Sequence, residues 1–201
     1  MPGVGFFVKD PNVPATWDTN NTNSEYNLSG SNNLTATKTV QNWNASCNTQ
    51  VASGGKHYCE ITVPHQATWH FYFGFTNSGS VDKDKYTGSF ANSWAMYYTD
   101  LYAGGAYQKT TNVQVQTPGP DVAMLALDLD NNKFWYGVNG TWADSGDPAA
   151  GTGETASSIG SAVAISVSAY TTGQNFTANF GQSSFTHTVP TGFNSGFLVA
   201  P

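Results

Sequence analysis

The sequence is poor in ionic side chains. Only 10% of its 201 residues are charged, against roughly 25% in an average soluble domain. The seven basic residues are all lysines, so arginine is absent, and with 13 acidic residues the formal net charge is -6. A nucleic-acid interface needs clustered Lys and Arg to neutralise phosphates, and a basic membrane-surface helix needs the same residues. The composition therefore excludes both kinds of partner.

Cysteine and long apolar runs are scarce as well. The two cysteines, Cys47 and Cys59, are too few for a disulfide scaffold. No apolar run approaches the roughly 20 residues of a membrane-spanning helix, so we expect no membrane insertion. The N-terminus has neither the basic region nor the apolar length of a secretory signal, and nothing else in the sequence directs the chain to the secretion machinery.

Aromatic residues and turn formers are abundant instead. The 12 Phe, 10 Tyr and 6 Trp need a core or a partner, which rules out disorder as the main state. Helical periodicity is nearly absent, and short β-branched and aromatic runs recur between Gly, Asn, Ser and Pro clusters. This pattern predicts an all-β sandwich or barrel. The predicted strands are Tyr26–Leu28, Leu34–Thr39, Trp43–Val51, His57–Val63, Trp69–Thr76, Ser93–Tyr98, Asn112–Gln116, Val122–Asp130, Lys133–Val138, Ala162–Tyr170 and Asn175–Phe180.

Two hairpins are predicted from this strand pattern. The first hairpin is Val122–Val138, in which Leu125, Leu127 and Leu129 alternate with Ala126, Asp128 and Asp130. This alternation indicates that one face of the strand packs in the core and the other is exposed to solvent, a wet face. The other hairpin joins Trp43–Val51 to His57–Val63 through residues 52–55. The apolar residues of its two strands lie on the same side of the sheet only if Cys47 pairs with Cys59. We therefore expect two buried thiols that face each other, close enough for a disulfide but reduced after synthesis.

Two segments are expected to lie outside the sheets. Residues 1–14 contain Pro2, Pro11 and Pro14 and form a predicted N-terminal arm, with Phe6 and Phe7 as its contact residues, so the domain spans 15–201. Asp144–Ser161 is rich in small residues and is predicted to be a long surface loop.

A series of segments resembles, in order, the motifs of SPRY domains. Each motif is short and weak by itself, but together they run from about Ala15 to Phe193 in the family's order and are specific. Cys59, Pro120 and Met124 replace the usual residues of the family and are compatible with packed strands. The segments, with the family patterns, are Gly55–Val63 (GKxYxEV), Phe73–Phe75 (hGh), Asp121–Asp130 (GDVIGVALDLD), Lys133–Gly140 (xxhxFYxNG), Ala162–Tyr170 (hPAVSLY) and Asn179–Phe193 (NFGQxxFxxxxPxGF).

The resemblance implies a bent antiparallel β-sandwich, a concanavalin-like jelly roll, that binds partners through its loops without catalysis. The segment 17–37, the low charge and the Asn/Thr/Ser/Gly-rich surface are most similar to SPRY proteins of tailed-bacteriophage virions. We therefore expect a virion component assembled in the host cytoplasm: a capsid decoration, tail or fibre-associated protein. Its partners would be other virion proteins or a host-surface receptor, and a homo-oligomer fits this setting. Two alternatives remain open: a glycan-binding, lectin-like protein and an intracellular adaptor that binds peptides.

Residue types needed for catalysis or metal binding do not form a complete set. Cys59 and His57 can share one strand face, but Cys59 belongs to an apolar run that should face the core, where cysteine acts as a small apolar residue. His65 and His70 have no third ligand nearby for zinc. We therefore expect no catalytic residue, no metal site and no cofactor.

Aromatic residues between 93 and 107 are the best candidates for a binding surface. Tyrosine with Ser and Gly is typical of recognition loops, because tyrosine buries a large area at a low entropic cost. We expect Trp94 and Tyr98 to face the core, which leaves Tyr102 and Tyr107 as the better contact candidates. The predicted contact residues are Tyr102, Tyr107 and Trp142, the last beside the long loop.

Overall fold

The computed structural model describes residues 12–63, 70–115 and 120–200. Within these ranges no helix is long and apolar enough to cross a membrane. The only helical elements there are 3-10 turns at Ser31–Asn33, Ser78–Ser80 and Ala143–Ser145. The strands are β1 (Val13–Pro14), β2 (Tyr26–Ser29), β3 (Thr35–Lys38), β4 (Cys47–Asn48), β5 (Ala52–Ser53), β6 (Lys56–Val63), β7 (Phe71–Asn77), β8 (Ser93–Tyr97), β9 (Asp100–Ala103), β10 (Ala106–Thr110), β11 (Asp121–Asp128), β12 (Lys133–Val138), β13 (Thr141–Trp142), β14 (Ala156–Ser157), β15 (Ala162–Ala169), β16 (Asn175–Asn179) and β17 (Leu198–Val199).

Two antiparallel sheets make up the sandwich. The seven-stranded sheet has the order β10-β9-β8-β7-β15-β4, and β5 also pairs with β15. The eight-stranded sheet has the order β13-β12-β11-β6-β16-β3-β2, and β14 also pairs with β12. Neighbouring strands in both sheets often lie far apart in sequence, as β7 and β15 do. The predicted all-β antiparallel sandwich is confirmed.

Aromatic and aliphatic side chains fill the space between the sheets. Alternate residues of the central strands point inward, such as Phe73 and Phe75 on β7. Phe73 meets Phe176 of the other sheet with ring centroids 5.4 Å apart, and Phe75 meets Phe134 at 4.9 Å, both in T-shaped arrangements. Each such ring contributes about 1.5–3 kcal/mol by leaving water, so the two sheets are joined mainly by these contacts.

The outer face of the eight-stranded sheet is covered, which corrects the prediction of a wet face on β11. Ala126 is fully buried there in a second apolar cluster, and the Asp128 carboxylate is buried in an ion pair with Lys56 at 3.0 Å. The cover is the C-terminal segment, which folds back over the strands. The second cluster contains Tyr58, Met124, Ala126, Trp135 and Phe193, with Trp142, Phe185 and Val189 packed against it.

A buried carboxylate fixes that covering segment. Glu60 on β6 accepts hydrogen bonds from the backbone N–H groups of Thr186 and His187, both at 2.8 Å, and from the Tyr58 hydroxyl at 2.9 Å. Hydrogen bonds to a charged group are stronger than neutral ones. The alternation of β11 alone carries no information about this cover, because it comes from residues far along the chain.

The predicted hairpin of Trp43–Val51 with His57–Val63 is wrong. Cys47 on β4 lies opposite Val167 in the seven-stranded sheet, whereas Cys59 on β6 lies opposite Leu125 in the eight-stranded sheet. The chain crosses between the sheets after β5, and period-two alternation fits a strand of either sheet equally well. The two cysteines are therefore not cross-strand partners; both are free thiols buried in the core.

Other differences concern the loops and the arm. Residues 112–115 of the predicted strand Asn112–Gln116 form no strand, and Gln116 lies outside the described residues. The predicted loop Asp144–Ser161 includes β14, which pairs with β12. Val13–Pro14, the end of the predicted arm, pairs with Leu198–Val199 in a separate two-stranded sheet. Phe6 and Phe7 lie outside the described residues.

Candidate functional site

A connected group of aromatic side chains covers much of the outer side of the seven-stranded sheet, and we term it the tyrosine face. Neighbouring rings contact one another with centroids 4.4–6.4 Å apart, the range in which aromatic pairs attract. Its members are Trp43, His70, Tyr72, Tyr86, Tyr97, Tyr98, Tyr102, Tyr107 and Tyr170.

Strand alternation and register place the central tyrosines. Tyr72 lies between the inward Phe71 and Phe73, so its ring points outward. Its ring stacks on Tyr97 of β8, with centroids 4.6 Å apart and planes 20° apart. On the next strands Tyr102 lies directly opposite Tyr107, and their rings meet in a T-shaped contact at 6.2 Å. The sheet register thus brings residues from four strands onto one surface.

Trp43 joins the strand tyrosines to those from loops. Its ring lies 5.2 Å from Tyr72, 5.5 Å from Tyr86 and 5.3 Å from Tyr170. The loop that carries Trp43 is anchored through its neighbour Asn42. The buried Lys38 ammonium donates to Glu25 at 2.7 Å and to the Asn42 side chain at 3.3 Å, and Asn42 itself donates to Glu25 at 2.9 Å. This network holds Trp43 against the sheet.

Small residues let the segment carrying Tyr86 lie flat on the sheet. A Cβ atom at Gly88 would lie 2.9 Å from that of Ala95 on β8, so only glycine fits there. The neighbouring Thr87 hydroxyl bonds the hydroxyls of Ser166 and Ser168 on β15 at 2.6 and 3.0 Å. These buried contacts fix the segment 86–89 and position the Tyr86 ring next to Tyr72.

The turn between β8 and β9 departs from the prediction. Tyr98 is not a core residue: it occupies the two-residue turn between Tyr97 and Asp100, with a φ of 54°. A bulky residue in this left-handed region costs about 1–3 kcal/mol and persists only where the surroundings impose it. Here the Tyr98 ring packs on Tyr97 at 4.4 Å. Trp94 stacks on the buried Phe75 and faces the core, as predicted.

The tyrosine face presents protonated hydroxyl groups, and the lysines of the loop beside it are paired. Burial, and then the neighbouring tyrosines, raise the pKa of Tyr72 above its ordinary value, and burial followed by the hydrogen bond with Tyr98 raises the pKa of Tyr97. Both hydroxyls therefore stay protonated. The lysines of the adjacent loop are paired, Lys83 with Asp84 at 3.0 Å and Lys85 with Asp82 at 3.2 Å.

The structure brings two of the three predicted contact residues together. Tyr107 is 55% exposed and Tyr102 is half-buried beside it. Trp142 lies on the other sheet, in the second apolar cluster, where its ring packs on Tyr58 at 6.3 Å. The sequence did not indicate the other seven members of the face as contact residues. Alternation indicates an outward position for Tyr72 and Tyr170, whereas the loop residues Trp43 and Tyr86 carry no such signal.

His57 and Cys59, which the sequence places on one strand face, make contacts that stabilise the fold. His57 donates from Nε2 to the Gly54 carbonyl at 2.7 Å and accepts at Nδ1 from the Leu198 N–H at 3.1 Å. Burial lowers the pKa of His57 and raises the pKa of the Cys59 thiol, which disfavours the thiolate that a nucleophile requires. His65 lies outside the described residues, and His70 packs on Tyr170. Within the described ranges no three His, Cys, Asp or Glu side chains are grouped as metal ligands.

Comparisons with known proteins identify the fold. No protein-family model and no curated protein matches the sequence. Among solved structures, the SPRY domain of human HERC1 is similar with a TM-score of 0.60 and 13% identity, over 84% of this chain and 99% of that one. A human SPRY domain is similar with a TM-score of 0.57 and 15% identity, over 78% of this chain and 95% of that one. The TRIM65 PSpry domain is similar with a TM-score of 0.58 and 12% identity, over 83% of this chain and 90% of that one. The chain therefore has the β-sandwich fold of SPRY domains.

Proposed function

We propose that this chain is a non-enzymatic binding module that recognises a protein partner through the tyrosine face. The observation that carries the proposal is the face itself, a connected group of mostly half-buried rings that ends at the strongly exposed Tyr107. Isolated exposed apolar residues are ordinary, but contiguous patches mark interaction sites. The SPRY-like fold supports a binding role for the module.

The physical properties of the face suit recognition. Tyrosine and tryptophan are enriched among residues that dominate binding energy, because each buries a large rigid area and offers a polar group. Ring contacts such as those of Trp43 and Tyr97 hold the side chains before a partner arrives. Less side-chain entropy is then lost on association, which improves affinity.

A peptide-display selection tests the proposal. A random peptide library is selected on the full chain alone, and the affinity of the enriched peptides is then measured for a Tyr102→Ser/Tyr107→Ser double variant. We expect enriched peptides whose affinity for the double variant is at least tenfold weaker, because truncating a binding-energy hot spot costs at least about 1.4 kcal/mol.

The matched control for that selection is Val13→Ser, which also removes an exposed apolar side chain, 42% exposed, from the separate two-stranded sheet. Its affinity for the peptides should be unchanged. Peptides that bind the double variant as tightly as the original chain would contradict the assignment of the tyrosine face.

The proposed setting is a bacteriophage virion, where the module would contact other virion proteins or a host-surface receptor. The low charge and the Asn/Thr/Ser/Gly-rich surface support this setting. Tyrosine nitration provides the test: Tyr107 should be modified in the isolated chain and protected in purified virions that contain the chain at stoichiometric copy number. Absence of the chain from purified virions would favour the intracellular adaptor.

A further inference from the structure

A cleft lies beside the loop that carries Lys83, and none of its lining residues belongs to the tyrosine face. It has a volume of ≈ 470 Å³, within the roughly 300–1,000 Å³ that ligand pockets occupy. Neutral hydrogen-bonding side chains make up most of its wall. The lining residues are Thr19, Asn20, Thr22, Asn23, Ser24, Tyr26, Asn27, Leu28, Asn33 and Lys83.

The chemistry of the wall restricts the ligand. Lys83 is the one ionic side chain among the lining residues that the structure describes, and it pairs with Asp84 at 3.0 Å. A phosphate or carboxylate group would therefore find no unpaired cation among them. Among the described residues, no carboxylate or imidazole lines the cleft to hold a metal ion. A purely apolar ligand would bury the side-chain amides of Asn20 and Asn27 without partners, at about 1–3 kcal/mol for each group. A ligand that fits must be neutral and rich in hydrogen-bonding groups.

The loop that forms one wall is held in place by its own hydrogen bonds. The Asp18 carboxylate accepts from the Asn20 N–H at 2.9 Å and from the Asn21 side chain at 2.7 Å. Asn23 is held through both its side chain and its backbone. Its side-chain amide donates to Asp84 at 2.7 Å, and its backbone N–H donates to the Ser46 carbonyl at 3.1 Å. The cleft is therefore preformed, which reduces the entropy lost when a ligand binds.

Asparagine side chains on two walls lie outside this holding network. Asn20 takes part through its backbone N–H, so its amide group is available at the cleft, and Asn27 projects from the edge strand β2. An amide offers a donor and an acceptor together, which matches the adjacent hydroxyls of a sugar ring. Leu28 supplies an apolar surface for the C–H groups of such a ring.

We propose that this cleft is a binding site for a neutral saccharide. Asn20 and Asn27 bond the sugar hydroxyls, and Leu28 contacts the apolar side of the ring. The site is separate from the tyrosine face and does not depend on the function proposed for that face.

Saturation-transfer-difference NMR on the full chain tests the site. The probes are the methyl glycosides of glucose, galactose, mannose and N-acetylglucosamine, titrated to millimolar concentration. The variants are Asn20→Ala/Asn27→Ala, which removes both amides, and Ser24→Trp, which fills the cleft from an exposed position. The matched control is Asn44→Ala, an exposed asparagine outside the cleft. Circular dichroism verifies the fold of each variant.

At least one glycoside should bind the original chain and the control alike, with a dissociation constant at least tenfold weaker in the double variant and no detectable transfer in Ser24→Trp. The absence of transfer from every probe would overturn the proposal. Binding that survives both cleft variants, or that is lost in Tyr102→Ser/Tyr107→Ser alone, would place the sugar elsewhere and would equally overturn it.

Discussion

Gly74 allows the close approach of β7 and β8 beneath the tyrosine face, and its replacement by alanine should be strongly destabilising. Gly74 lies opposite Ala95 on β8 and Ser166 on β15. A Cβ atom at this position would lie 1.8 Å from the Trp94 carbonyl oxygen and 2.8 Å from the Ala95 Cα. Both are backbone atoms, so no side-chain rotation relieves the clash and β8 itself must move.

The cost follows from that displacement. Moving β8 by more than about 1 Å stretches ladder hydrogen bonds beyond their range, and each is worth about 1 kcal/mol net. Overpacking adds about 1–3 kcal/mol. We expect Gly74→Ala to lower the free energy of unfolding by roughly 3–5 kcal/mol, which lowers Tm by roughly 6–20 °C in a domain of this size. Displacement of Tyr97 and Tyr102 on the moved strands should also weaken the near-ultraviolet circular dichroism of the tyrosines.

Gly79 provides the matched control. Nothing lies within 4 Å of a Cβ atom built there, and its φ is outside the left-handed region. Gly79→Ala should therefore change the free energy of unfolding by less than about 0.5 kcal/mol. Urea unfolding of the two variants measures the difference. If Gly74→Ala were as stable as Gly79→Ala, the steric argument would be refuted.

Three further predictions concern buried groups. Burial lowers the pKa of His57 below the unfolded value of 6.5, so the unfolded state binds this proton first as pH falls. Urea unfolding should therefore show a free energy of unfolding that declines below about pH 6.5. The decline should be less steep in His57→Gln. Lys38→Ala removes the buried ammonium that pairs with Glu25 and should lower the free energy of unfolding by about 3 kcal/mol. This is near the lower limit for a buried pair, because the Glu25 side chain is 24% exposed. Lys85→Ala breaks the exposed ion pair with Asp82 and should lower the free energy of unfolding by less than about 1 kcal/mol. Both cysteine thiols should react with Ellman's reagent in urea and neither in the native state, because both are buried with raised pKa values; rapid native reaction would contradict their placement.

Strands with regular alternation were predictable from the sequence. The predicted Lys133–Val138 coincides with β12, and the predicted Ala162–Tyr170 ends one residue beyond β15. In both, apolar residues recur with a period of two over a length that suits a strand. The β9 strand was missed because Gly104 and Gly105 follow it and the whole segment has the composition of a loop.

Which sheet a strand joins was not predictable from alternation. The faces of Cys47 and Cys59 were assigned correctly, since both are buried, but their strands belong to different sheets. A local pattern specifies which side of a strand is apolar and does not specify its neighbour. The same limit applies to Tyr102 and Tyr107: their composition indicated a contact surface, but the contact of Tyr102 with Tyr72 on β7 depends on the register of strands that lie far apart in sequence.

The anchoring of the C-terminal segment has a consequence for the order of folding. Glu60 bonds residues 126 and 127 positions later in the chain, and His57 bonds a residue 141 positions later. Loops of this length must close before the contacts form, and proteins dominated by such contacts fold in milliseconds to seconds. During synthesis at about 5–20 residues per second, β6 therefore waits many seconds for its last partners. Tyr58 and the Glu60 carboxylate on its outer face lack their cover throughout that interval, so nascent chains are more vulnerable to aggregation than the finished domain.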